Sequence, residues 1–381
     1  MKTLKRILAA TTLLVTLGFA SEANAQVPLE NFFKNPEKAG YQISPDGKYF
    51  SYMAPYENRL NLFVQEVGSD KATRITSETV RDLAGSMWAN GHRILYIKDT
   101  AGDENFQLYG VNVDGTDSKA YTAFPKVRTT IIDPLENIDS LVIIGLNKRN
   151  PQVFDPYRLN LNNGELTQLA ENPGNIQGWM TDHNGKLRVA LAIVDGVNTQ
   201  ILYRETEEQP FRPVLTTNFK ETVSFATFTP DNKMVYALTN IGRDKTALVL
   251  MDPATCEEKE VLYTNDKYDI SGLGYSELKK KLISVFCTGH KGTIRHYFDK
   301  NEEAIRTKLE QKLEGYDINT TSEDKSENIR IIYAGGDRTY GTYYTYNVKE
   351  DKLTKIADLA PGLKKKIWSR CTPSPIPAGM V

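Results

Sequence analysis

Apolar and polar residues alternate along most of this chain, in short runs broken by turn-forming clusters. After "SPDGK" at Ser44 the run "KYFSYMA" alternates, "LNLFVQEV" alternates again and "KATRIT" closes a third. With "YQIS" ahead of the turn, the stretch predicts four short strands. The plan then recurs. Turn clusters stand at Ser44 (SPDGK), Trp88 (WANGH), Asp133 (DPLEN), Asp182 (DHNGK), Thr229 (TPDNK), Tyr275 (YSELKKK) and Ser322 (SEDKSEN). They lie about 45 to 50 residues apart, the period of architectures that spend one small sheet on each repeat. Seven such units predict an all-β chain, a seven-bladed β-propeller spanning residues 26–363. A β-sandwich also contains many short strands, but it does not call for whole four-strand sets at equal spacing. The first and last units each hold four strands in order, the last as "DINTT", "NIRIIYAGG", "GTYYTYNV" and "KLTKIAD". No blade is then shared between the two ends, and closure of the ring is expected to rest on side-chain packing between blades.

One segment breaks the period of two. In "NEEAIRTKLEQKLEGYD", Ile305, Leu309 and Leu313 fall on one stripe among charges and Gly315 follows, which predicts an amphipathic helix inserted in blade six. Such a helix either packs on the propeller rim or offers itself to a partner; rim packing is the simpler expectation.

The N-terminus has its own pattern. Lys2, Lys5 and Arg6 precede an apolar run ending at Phe19 and then "ANA", the layout of a secretory signal peptide over residues 1–25 with cleavage after Ala25. This predicts a periplasmic or secreted protein without a membrane anchor, since the run is too short to span a bilayer. The chain holds 47 Lys and Arg against 48 Asp and Glu. That balance gives no reach toward nucleic acid. Cys256, Cys287 and Cys371 fit no metal or redox spacing, and an oxidising compartment leaves open either a bridge between Cys256 and Cys287 or two unpaired thiols.

Candidate chemistry is sparse. A hydrolytic serine on a G-x-S-x-G elbow is absent; Ser86 in "AGSMW" and Ser276 in "LGYSEL" come nearest, and both read as residues of inter-strand turns. His92 and His183 lie in turn clusters, while His290 and His296 share a face only if one strand runs unbroken through Gly292. Asp99, Asp103, Glu104 and Asp114 lack the order of a calcium loop and read as hydrogen-bonded turns. A metal-dependent propeller enzyme would need carboxylates and histidines converging on the channel, and the inner strands supply few. No residue is therefore expected to be catalytic, cofactor-binding or metal-ligating.

The stretches "PLENFFKNPEKAGYQISPDGKYFSYMAPYENRLNLFV", "WANGHRILYIKDTAGDENFQLYGVNVDG" and "RHYFDKNEEAIRTKLEQKLEGYDI" resemble the propeller of the prolyl oligopeptidase family, in the branch of secreted bacterial acylaminoacyl-peptidase-like and dipeptidyl-peptidase-like enzymes. The resemblance runs from about Pro28 to Leu363. It implies an open propeller that restricts peptide substrates' access to an α/β-hydrolase domain. That domain holds the family's Ser, Asp and His and is missing here, so no catalytic residue carries over. Family members continue with an acidic connector and a phrase like M-x-P-I-x-Y-x-S-R-D-G-L. Residues 364–381 instead form a basic, Pro-rich tail. Read one base back with suitable synonymous codons, the tail yields that connector and phrase. Trp368 and Met380, each with a single codon, restrict the hidden residues to Leu, Met or Val and to Asp, Asn, His or Tyr before a codon starting with G, at the points where Met and Asp-Gly belong. The tail is thus expected to be a frameshifted, aberrant segment, and the chain a non-catalytic portion of a peptidase. A divergent tail on a stand-alone propeller that binds a protein or peptide is the alternative.

Overall fold

The computed structural model describes residues 28–363 apart from positions 35, 291 and 338. The expected signal peptide and the expected frameshifted tail lie outside the described residues. Seven antiparallel sheets follow one another along the chain, six with four strands and one with three, and in each the strands pair in sequence order. The four positions of a blade are called A to D from the channel outward. The A strands are Ala39–Ile43, Gly85–Asn90, Thr129–Asp133, Ile176–Thr181, Val223–Phe228, Ile270–Ser276 and Asp317–Glu323.

The hydrophobic pattern explains where the core sits. Strands at positions B and C are covered on both faces by neighbouring blades, so the first six residues of the strand Leu141–Asn150 and most of Leu187–Val194 are apolar. The cores lie between blades: Leu95 and Leu108 of blade two meet Val142, Ile144 and Leu159 of blade three, and Val189 and Ile201 of blade four meet Val235 and Val249 of blade five. Among the described residues no helix is long and apolar enough to cross a membrane.

The A–B turns are built by short polar side chains folding back on the backbone. Ser44 Oγ accepts from the amides of Lys48 and Tyr49 at 3.0 and 2.9 Å, and Thr229 Oγ1 takes Met234 N at 3.0 Å. Asp182 and Asp324 carboxylates do the same for Lys186 and Ile329. The position closing each turn is left-handed: Gly47 at φ 73°, Gly185 at φ 70°, Asn232 at φ 59° and Glu327 at φ 54°. The sequence clusters are therefore one turn chemistry written several times.

Blade six departs from the expected plan. Its sheet ends at the third strand, Gly292–Tyr297, and the predicted helix replaces the D strand rather than adding to it. After a first short helix, α1 (Glu30–Phe33), this helix is α2 (Lys300–Lys312). Asp299 caps it, accepting from Asn301 N at 2.9 Å and Glu302 N at 3.2 Å. Leu309 and Leu313 pack on Ile318, Ile332, Ala334 and Tyr346 of blade seven, which is the expected rim packing.

The ring closes between blades seven and one as expected, without a shared sheet. Tyr41, Ile43, Phe50 and Tyr52 of blade one form a cluster with Ile331 and Tyr343 of blade seven, and the Tyr41 and Tyr343 rings lie 5.4 Å apart. Ile43 N donates to Ser322 Oγ at 3.1 Å and Lys325 N to Pro45 O at 2.9 Å.

Candidate functional site: the mouth of the central channel

Several A–B turns touch the next around the ring. Asn90 Nδ2 donates to Asp139 O at 3.1 Å, the Thr181 hydroxyl donates to the Asp133 carboxylate, and His183 N donates to Asn232 Oδ1 at 3.0 Å. The Ser276 hydroxyl donates to the Glu327 carboxylate. These contacts fix the mouth at the turn side of the channel.

Blade three crosses that mouth. Its A–B connection, residues 134–140, is longer than the tight turn of blade one, and it reaches the far side of the ring. Asn137 Nδ2 donates to Glu277 Oε2 of blade six at 3.0 Å, and Asp139 Oδ1 accepts from Lys325 Nζ of blade seven at 2.7 Å. Glu277 also faces His183 Nδ1 of blade four at 3.5 Å, and the His183 ring stacks on Tyr275 with centroids 5.3 Å apart. Three blades thus meet through one carboxylate.

Behind this crossing lies a cavity of about 860 Å³. Inner strands of blades one, two, six and seven line it together with Glu136 of the crossing and Glu302, Ile305 and Arg306 of α2. Because its wall takes in strand C of blade six and α2, it extends outward between blades six and seven. A volume of this order suits a ligand of a few residues.

The charges at the mouth are mostly matched. Arg330 forks Glu302 at 2.8 and 3.0 Å, and Lys279 Nζ reaches Glu302 at 2.6 Å and Glu327 at 3.3 Å. Burial alone would raise the Glu302 pKa, but Arg330 and Lys279 hold it below the usual carboxylate value. The hydrogen bond from His183 lowers the Glu277 pKa, and the same contact raises that of His183 against the opposing effect of burial. Glu136 differs: enclosure by the channel walls, then the charges of Glu277 and Asp133, push its pKa up, with Lys325 opposing. Two buried polar atoms on the lining, Trp88 Nε1 and Tyr275 OH, have no hydrogen-bond partner among the described residues.

The residues singled out from the sequence scatter. Ser86 lies inside the A strand of blade two, not in a turn, and Ser276 ends the A strand of blade six with its hydroxyl committed to Glu327. Neither meets a histidine. His92 is exposed on its turn, while His290 lies in the turn after strand B of blade six, against Tyr268, and His296 on strand C, against Tyr263. The Asp99, Asp103 and Asp114 carboxylates cap local amides, as expected of hydrogen-bonded turns. Among the described residues Cys256 and Cys287 are free thiols and do not bridge each other; Cys371 lies outside the described residues. No cluster of His, Cys, Asp or Glu suited to a metal ion occurs among the described residues. Sequence reasoning missed Glu136, Glu277 and the blade-three crossing; the length of that connection was the available signal.

A seven-bladed ring whose first and last blades share no sheet is the fold that solved prolyl oligopeptidase structures also show. In solved structures the chain matches a prolyl endopeptidase with a TM-score of 0.59 at 12% identity, covering 92% of this chain and 55% of that one. It matches prolyl oligopeptidase B from Galerina marginata with a TM-score of 0.57 at 11% identity, over 88% and 53%. In sequence it is 28% identical over 346 residues to dipeptidyl aminopeptidase BIII of Pseudoxanthomonas mexicana, covering 88% of this chain and 48% of that protein. It is 26% identical over 377 residues to dipeptidyl peptidase family member 6 of Caenorhabditis elegans, covering 93% and 50%. No family model matches the chain. The chain spans about half the length of these curated relatives, and the resemblance read from its motifs is borne out over the propeller region.

Proposed function

We propose that this chain is the non-catalytic, substrate-gating propeller of an exported serine peptidase of the prolyl oligopeptidase kind, working on peptides together with an α/β-hydrolase domain. The observation that carries the reading is its near end-to-end similarity to dipeptidyl peptidases over about half their length. The layout of the ring supports it. Both ends of the described chain emerge on the face opposite the A–B turns, where residues 31–37 and 359–362 lie together. On that face Val197, Phe219 and Ile241 are exposed, Phe219 at 77%. Apolar side chains exposed on the face where the chain ends emerge mark a surface on which a second domain would dock. The leader-like residues 1–25 support export to the periplasm, and the tail supports a slipped reading frame near the A-rich codons of "LKKK".

The test is the DNA beyond the codon for Leu363. The frame one base back is expected to stay open for about another 250 residues, the size of one large α/β domain. It should encode a G-x-S-x-G elbow followed by an Asp and then a His. Stops in every frame would favour the stand-alone binding propeller. In parallel, the purified chain should not react with a fluorophosphonate probe; stoichiometric labelling of any serine would overturn the non-catalytic reading.

A further inference from the structure

We infer that the blade-six wall of the cavity is a carboxylate-binding subsite built on Arg295, which holds the C-terminal or side-chain carboxylate of a peptide in the channel. The inference rests on the reading that the channel admits peptides.

Arg295 lies on strand C of blade six and lines the cavity. Its guanidinium sits over the Phe286 ring, 4.8 Å from the centroid. Phe286 can lie against the A strand because position 272 is glycine: a Cβ there would fall 2.4 Å from the ring. One row along, Gly274 leaves room for the Ser284 hydroxyl, which a Cβ would approach to 2.7 Å. Ser284 is buried and its hydroxyl oxygen accepts from Arg295 Nη1 in a long hydrogen bond of 3.4 Å. Two glycines, a ring and a hydroxyl thus form a shelf that presents the guanidinium to the cavity.

The neighbouring arginines are satisfied and Arg295 is not. Arg330 forks Glu302, and Arg306 takes Glu310 at 2.7 Å and the Ile318 carbonyl at 2.7 Å. Among the described residues no carboxylate pairs with Arg295. A guanidinium carries five donors, so one long bond to the protein leaves most of them open to water or to a ligand in the cavity. Arg295 is exposed on its strand, yet partial burial of the guanidinium and then the charge of Arg306 press on its protonated form, and a bound anion would relieve both.

The rest of the lining selects the kind of anion. Six carboxylates and four cationic side chains face the cavity. That balance opposes a dianion such as phosphate, whereas a single planar carboxylate matches the guanidinium fork.

Isothermal titration of the full chain with tetra-alanine as free acid and as C-terminal amide tests the subsite. The acid is expected to bind about tenfold more tightly, the weight of one charge-assisted hydrogen bond in a partly enclosed site. Arg295→Gln should bring the two peptides to equal affinity, and Arg295→Lys should restore part of the difference. A tetra-alanine amide carrying one internal glutamate distinguishes a side-chain carboxylate from a C-terminus, since it regains the lost affinity only in the first case. Equal binding of acid and amide by the unmodified chain would overturn the subsite and leave the peptide-admitting channel standing. No binding of either would overturn both. Displacement of the acid by millimolar inorganic phosphate would overturn the carboxylate assignment. If Arg295→Gln melts at a lower temperature, the acid-to-amide ratio in Arg295→Lys decides, because that variant keeps the charge and the stem.

Discussion

Glu277 is the carboxylate through which blades three, four and six meet, so its protonation and that of His183 govern the mouth of the channel. Their ordinary pKa values are 4.5 and 6.5, and the contact moves the first down and the second up. The raised His183 value means that its contribution to stability is full below pH 6.5 and is lost as pH climbs through the raised value. The depressed Glu277 value means that its contribution is full above pH 4.5 and is lost as pH falls through the depressed value. Both act together between about pH 4.5 and 6.5. Glu277→Gln should therefore lower the melting temperature most in that window and least at pH 8.5. The effect corresponds to at most about 1 kcal/mol for a pair this open to solvent. A penalty that does not vary with pH would refute the coupling, and a ring-proton NMR titration of His183 with its midpoint below 6.5 would do so directly.

At the scale of elements, α2 depends on its first residues. Asp299 caps two amides and also takes Lys281 Nζ at 2.7 Å, and that contact together with the cap bonds brings its pKa down to about 2. Asp299→Ala should cost about 1 kcal/mol. In a domain this large that is a fall of about 1 to 3 °C in melting temperature, with faster amide exchange confined to α2. An unchanged exchange pattern would mean that packing of Leu309 and Leu313 holds the helix without its cap. The strands, the turns and this helix were legible because each is written in a local period: alternation, a Ser, Thr or Asp opening the turn with a left-handed residue closing it, and a stripe at helical spacing. That α2 takes the place of a strand was not legible. Nothing in "NEEAIRTKLEQKLEG" says what "GTIRHY" fails to pair with. The mouth was still less so, because Asn137 and Glu277 stand 140 positions apart in sequence and leave no local pattern. Arg295 reads as one more basic residue until Gly272 and Phe286 are seen beneath it.

The whole ring is held shut at one seam by side chains and a few hydrogen bonds. Tyr41, 2% exposed and stacked on Tyr52 at 4.8 Å, anchors that seam. Tyr41→Ala should remove about 3 to 5 kcal/mol, as truncation of a buried aromatic does, and amide exchange should rise first in the strands of blades one and seven. Uniform exchange across all blades would show that the seam is no weaker than the rest. The opposite surface of the molecule supplies a further test. Val197, Phe219 and Ile241 come from blades four and five on the face where the chain ends emerge, and each is exposed. None contributes to an inter-blade core, so their exposure brings the ring no packing and leaves an apolar patch in water. If a hydrolase domain normally covers this face, the chain by itself should self-associate. Light scattering of the purified protein at tens of micromolar should then show oligomers that grow with salt, as hydrophobic contact does and surface ion pairing does not. Replacing Val197 and Phe219, the two most exposed of the three, by serine should give a monodisperse protein with little change in melting temperature, since most of each side chain already faces water. A monodisperse unmodified chain would mean that this face is already at ease in water, and the reading of it as a docking surface would fall while the ring and its mouth remained.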